Sequence, residues 1–220
     1  FARCTGEIFN WVCSDDILAR DALMRVAHGF CDPSGHDVIA GACLLQHDLN
    51  PKKNRTMPAD AECWRGAPFS GAIWQPACFF RRSLIRRTRL LLNDLHYCMD
   101  RELWIYLWSA GSRWRFTDES LAVFRFTGTN KTTEGGDKTI KEMTAIYQSY
   151  HTEWIPLPKL LLCIWLPLVE IAMSRRSLLV RMPAHLVSRF ATLVLRTFYP
   201  SKRVRALQRD FYHYRVGIFS

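Results

Sequence analysis

The 220-residue sequence contains no Gly-x-Gly-x-x-Gly, no Gly-x-Ser-x-Gly and no His-Glu-x-x-His. It therefore offers no dinucleotide-binding turn, no serine-hydrolase elbow and no zinc-protease helix. Its eight cysteines, at 4, 13, 31, 43, 63, 78, 98 and 163, include no Cys-x-x-Cys pair, which removes the usual structural zinc sites. No metal ligand and no cofactor is expected from these patterns. A membrane-spanning run is missing as well. The most apolar stretch, Leu160 to Met173, is broken by Pro167 and Glu170 and falls short of the roughly 20 residues a crossing helix needs. The N-terminal residues lack a basic start followed by an apolar run, so no secretory leader is read there, and an intracellular chain with mostly reduced thiols is expected.

Acidic residues are scarce at one end only. Residues 1–80 carry a net charge of −2, 81–117 carry +5, 118–154 carry −2 and 155–220 carry +9. Clustered charge of one sign has to be solvated or neutralised, so the last stretch calls for an anionic partner. Apolar residues make up 49%, and the chain is long enough for a full hydrophobic core.

Periodicity predicts a mainly α, helical globular protein with a small β-hairpin around 113–126. Ser14, Asp15 and Asp16 read as a helix start, followed by a stripe of Ile17, Leu18, Ala22, Val26 and Ala27 up to Gly29. A turn at Asp32-Pro-Ser-Gly leads into a shorter helix, about Asp37 to His47, and then a polar stretch from Asn50 to Pro76. The spacing of Leu84, Leu91, Leu95, Cys98, Trp104 and Leu107 predicts one long helix from Arg81 to Ser109. Trp114 and Phe116, turn residues Asp118 to Ser120, and Leu121 to Phe126 supply the hairpin. Asp137 is read as capping a further helix, with three more over about 159–180, 183–198 and 201–216. The chain is read as a single domain, 1–220, whose only natural subdivision falls near 127–137, ahead of the basic helical part at 155–220.

Several short patterns carry chemistry. Asp15, Asp16 and Asp21 resemble the aspartate motif with which some prenyl-diphosphate enzymes hold magnesium against a diphosphate, and Asn93-Asp94-Leu95 loosely resembles the second metal motif of terpene cyclases. In the latter the hydroxyl position holds Tyr97 and the glutamate position Arg101. At a helix start, Asp15 and Asp16 also serve as ordinary dipole partners. Asp32-Pro-Ser-Gly-His36 with His96-Tyr-Cys-Met-Asp100 resembles two signatures of the lipid phosphatase and haloperoxidase superfamily. That resemblance implies a phosphate-ester hydrolase in which His96 attacks phosphorus, Asp100 orients it and His36 protonates the leaving oxygen. The upstream Lys and Arg signature of that superfamily has no counterpart before Pro33, and Leu90 stands where its arginine belongs. Gly128-Thr-Asn-Lys-Thr-Thr133 resembles the phosphate loop of certain amino-acid ligases but lacks the glycine before Lys131.

The basic end carries the leading functional expectation. On a helix from Ser201, Lys202, Arg205 and Arg209 share one face, with Arg203 beside them, and Arg189 and Arg196 lie one heptad apart on the preceding helix. These six residues predict a non-enzymatic protein that binds nucleic acid, RNA above all, or another anionic partner in a larger assembly. A peripheral attachment to an anionic membrane through Trp165 and Arg175, Arg176 and Arg181 is the second class. The phosphate-ester hydrolase is the third, and the same motif fragments are also what a sequence never selected for a function would contain.

Overall fold

The ten residues Val38–His47 are almost all apolar, and seven of the first eight are buried. A run of this kind carries no period, because a strand covered on both faces has no polar side. In the computed structural model it is a strand. The structure describes residues 1–59, 73–128, 130, 131, 136–150 and, singly, 179, 182, 183, 186, 187, 190 and 193.

The elements in chain order are β1 (Ile8–Phe9), β2 (Ile17–Leu18), α1 (Ala22–Phe30), β3 (Val38–His47), β4 (Arg55–Met57), β5 (Cys78–Arg81), α2 (Arg82–Arg87), α3 (Met99–Ser109), β6 (Trp114–Phe126) and α4 (Gly136–Ser149). The strands form one six-stranded mixed sheet in the order β1-β5-β3-β6-β2, with β4 also paired to β3. It curls into a half-barrel. The central pair β3 and β6 is parallel over its full length, from Val38 opposite Trp114 to His47 opposite Phe126; all other pairings are antiparallel.

This overturns the mainly α expectation. Residues 38–47 are the central strand rather than a helix, and residues 81–109 are a strand end, the short α2, an irregular stretch and then α3. The hairpin around 113–126 is also corrected: Trp114–Phe126 is one 13-residue strand. Its turn-forming residues lie at an irregularity where Gly41 faces Thr117 but Ala42 faces Ser120, so Asp118 and Glu119 are extra residues in β6. With β3 running alongside before and after that bulge, the chain continues in the same direction instead of reversing. The predicted helix from Ser14 begins only at Ala22, because Asp21 adopts a left-handed conformation at φ 59° and residues 17–18 are already paired as β2.

The chain divides into two compact units. The first, Phe1–Ala61, Gly71–Leu92 and Asp100–Asn130, holds the whole sheet. On one face of the sheet, Ala22, Val26 and Phe30 of α1 pack with Ile39, Cys43, Phe79, Leu121 and Ala122. On the other, Trp104 of α3 sits against Phe80 (5.8 Å between ring centroids), Trp11 (5.4 Å, stacked) and Trp114 (6.2 Å). Phe79 and Phe80 are neighbours in β5 and point to opposite faces, as strand geometry requires. At the start of β3, buried Asp37 accepts the Arg113 amide at 3.0 Å and pairs with the Arg87 and Arg113 side chains.

The second unit comprises Glu62–Ser70, Asn93–Met99 and Lys131–Ser220. Within it the Glu142 carboxylate, on α4, accepts the backbone amides of His96 (2.9 Å), Tyr97 (2.7 Å) and Cys98 (3.0 Å). Three amides on one carboxylate are charge-assisted bonds and fix that loop to the helix.

Candidate metal centre at the end of the central strands

The turn that delivers the chain into β2 carries Cys13, Ser14, Asp15 and Asp16, and it is closed by the Asp16 amide donating to the Cys13 carbonyl at 3.1 Å. Because β2 pairs with β6 through Ile17 opposite Val123 and Leu18 opposite Ala122, this turn is anchored beside the C-terminal end of β6. Ligand sites on open sheets with parallel strands commonly lie at such carboxyl ends. The Cys13 thiol and one oxygen each from Asp15 and Asp16 lie within 4.8 Å of one another, close enough to share a metal ion. Sequence reading treats the two aspartates as helix-dipole partners. That role is excluded, since α1 begins six residues after Asp16 and is preceded by Asp21.

Asp16 is buried and its Oδ1 accepts the Arg125 amide at 3.3 Å. Burial pushes its carboxyl up to about 6; the Asp15 charge pushes the same way, while the Arg125 amide partly offsets them. Asp15 is held by Asn130, whose Nδ2 donates to Asp15 Oδ2 at 2.7 Å and to the Arg125 carbonyl at 2.8 Å. The Asn130 Oδ1 accepts the Thr127 amide at 2.8 Å, so this buried side chain is bound at both ends. The Arg125 guanidinium does not neutralise the aspartates: it turns to Asp48, at 2.6 and 3.4 Å. Among the described residues no Lys or Arg side chain pairs with Asp15 or Asp16, and Asp21, the third member of the aspartate motif, is exposed and pairs with Arg20. Behind the pair, burial pushes the Cys43 thiol up to about 12, with the Asp16 charge contributing and a hydrogen bond to the Phe124 backbone opposing.

At the same end of β3 the connection to β4 is basic: Lys52, Lys53 and Arg55 surround Asn54, which accepts the His47 amide at 2.8 Å. Burial and then the Lys53 and Arg55 charges lower the pKa of His47, whose ring stacks on Phe126 at 4.4 Å. None of Cys13, Asp48 and Asn130 carries a site signal in the sequence beyond its residue type. Asn130 stands in the loop compared above with a phosphate loop, but it works as a clamp for Asp15.

The hydrolase residues are distributed otherwise. His36 enters β3, its carbonyl accepting Arg81 Nε at 2.9 Å and its Nδ1 buried without a partner; Asp100 lies in the first turn of α3; His96 lies in the second unit. Arg189, Arg196, Lys202, Arg203, Arg205 and Arg209 fall outside the described residues. No family profile matches the chain, and no curated protein is similar to it.

Proposed function

We propose that the chain is a divalent-cation-dependent enzyme domain acting on a diphosphate-bearing substrate, with Asp15 and Asp16 as the cation ligands. The observation that carries this reading is a pair of adjacent carboxylates, one of them buried, with no Lys or Arg side chain paired to them among the described residues. A buried charge left without a partner is costly, and a protein that keeps one supplies a counter-charge from elsewhere. Hard oxygen donors select Mg²⁺ or Mn²⁺, whose remaining coordination positions take water and phosphate oxygens. Asp15 and Asp16 would hold the cation, which would supply counter-charge for a departing diphosphate, and Lys52, Lys53 and Arg55, at the same end of the sheet, would offer charge to its outer oxygens. Cys13 borders the cation, but a soft thiolate is a poor ligand for either metal and is assigned no role.

Titration of the full chain with Mn²⁺, followed by electron paramagnetic resonance of the unbound ion, tests this directly. Binding that Asp15→Asn and Asp16→Asn each weaken by more than about tenfold supports it. Absence of binding near neutral pH refutes it.

A second reading rests on charge alone. The net +9 of residues 155–220 supports binding of RNA or a similar polyanion through Arg189, Arg196, Lys202, Arg203, Arg205 and Arg209. Its test is affinity for single-stranded RNA across a salt series, which has to fall steeply with salt and flatten when the six are neutralised together.

A further inference from the structure

Leu179, Met182, Leu186, Val187 and Phe190 are each helical, and each leaves at least half of its surface exposed, from 50% at Val187 to 88% at Leu179. Large apolar side chains are normal on a surface singly but not in series. Their spacing is not random. Positions 179, 182, 186 and 190 follow one another at intervals of three and four, which on a helix of 3.6 residues per turn places them within an arc of about 80°. From Ile171 to Arg209 the sequence carries Arg175, Arg176, Arg181, Arg189, Arg196 and four further cations, and no Asp or Glu.

We propose that Leu179, Met182, Leu186 and Phe190 form a membrane-docking face that lies in the interface of an anionic bilayer, apolar side down, with the arginines of this acid-free stretch of sequence supplying charge for lipid headgroups. The charge pattern chooses this occupant. An apolar stripe that met another copy of this chain would gather cations against cations, whereas a surface of anionic lipid offers both a hydrocarbon layer and negative charge. RNA satisfies the arginines but leaves the leucine, methionine and phenylalanine side chains in water. Among the described residues no helix is long and apolar enough to cross a membrane.

Flotation of the full chain with phosphatidylcholine vesicles, with and without phosphatidylserine, measures this face. The expected result is flotation with the anionic vesicles only, reduced more than about tenfold in Leu186→Glu/Phe190→Glu and also by high salt. Because both substituted residues are exposed, the fold does not depend on them, and an unchanged circular dichroism melt of the variant verifies that. The companion Arg181→Glu/Arg189→Glu variant is expected to lose the preference for phosphatidylserine. No flotation with either vesicle overturns the proposal, as does flotation that survives Leu186→Glu/Phe190→Glu. So does single-stranded RNA binding that this apolar variant leaves intact while the wild-type chain ignores vesicles.

Discussion

Asn130 Nδ2 donates a 2.7 Å hydrogen bond to Asp15 Oδ2 across 115 residues of sequence, tying the loop after β6 to the turn before β2. The bond sets the orientation of one carboxylate of the candidate cation pair, and the same amide nitrogen holds the Arg125 carbonyl. Asn130→Ala removes the hydrogen bonds that this side chain makes to Asp15, to the Thr127 amide and to the Arg125 carbonyl. The expected cost is about 1–3 kcal/mol of folding stability, read by chemical denaturation, together with a severalfold loss of Mn²⁺ affinity.

Asp16 gives the fold a pH dependence of definite sign. Its carboxyl titrates near 6 in the folded chain against a reference value of 3.8, so the folded state holds the proton more tightly than the unfolded one. Stability from this group is therefore complete below about pH 4 and is lost as pH rises through 6. Asp16→Asn keeps an acceptor for the Arg125 amide and removes the buried charge. It is expected to stabilise the metal-free chain at neutral pH by on the order of 2 kcal/mol while abolishing cation binding. Cation affinity of the wild-type chain is expected to rise with pH through 6. A neutral-pH melting temperature that Asp16→Asn lowers contradicts the assignment.

Gly41 stands at the register shift between β3 and β6, where a Cβ would fall onto the Leu121 side chain and within 3.0 Å of the Glu119 carbonyl. Both strands would have to give way. Gly41→Ala is expected to cost about 1–3 kcal/mol, measured as a lower denaturation midpoint with an unchanged slope.

Glu102 is 4% exposed and is met by Arg89, whose guanidinium also lies 3.9 Å from the centroid of the Tyr106 ring. Arg89→Met keeps the apolar packing but leaves Glu102 without that guanidinium. A loss of about 3–5 kcal/mol is expected near pH 7, read by chemical denaturation. An effect under 1 kcal/mol, roughly that of a surface pair, would show that solvent reaches the carboxylate.

The sequence revealed local chemistry better than partners. The Asp32-Pro-Ser-Gly turn is present as read, with Asp32 Oδ1 accepting the Ser34 amide at 2.8 Å and Gly35 at φ +64°. Polar residues 118–120 did mark a break, but whether a strand reverses or bulges there depends on β3, which is far away in sequence. The run from Val38 to His47 was misread as a helix because a strand buried on both faces has no alternation; its β-branched start and mid-run Gly41 were the available signals. Asp15 and Asp16 were visible as a pair, yet their meaning turned on whether a helix followed directly. Asn130 was invisible as a site residue, since only the fold brings it to Asp15.

The parallel pairing of β3 with β6 also fixes an order of events. Between His47 and Trp114 lie β4, β5, α2 and α3, and all of that chain must exist before the two central strands can meet. Such long-range closure is slow, and it leaves strand edges open in the meantime. The acidic pair sits beside the last part of this closure: Asp16 takes its hydrogen bond from Arg125 and Asp15 from Asn130. Under the proposed reading, cation binding would report completion of the sheet, and a chain terminated before Arg125 would lack the hydrogen bonds that hold both aspartates even though both have already been made.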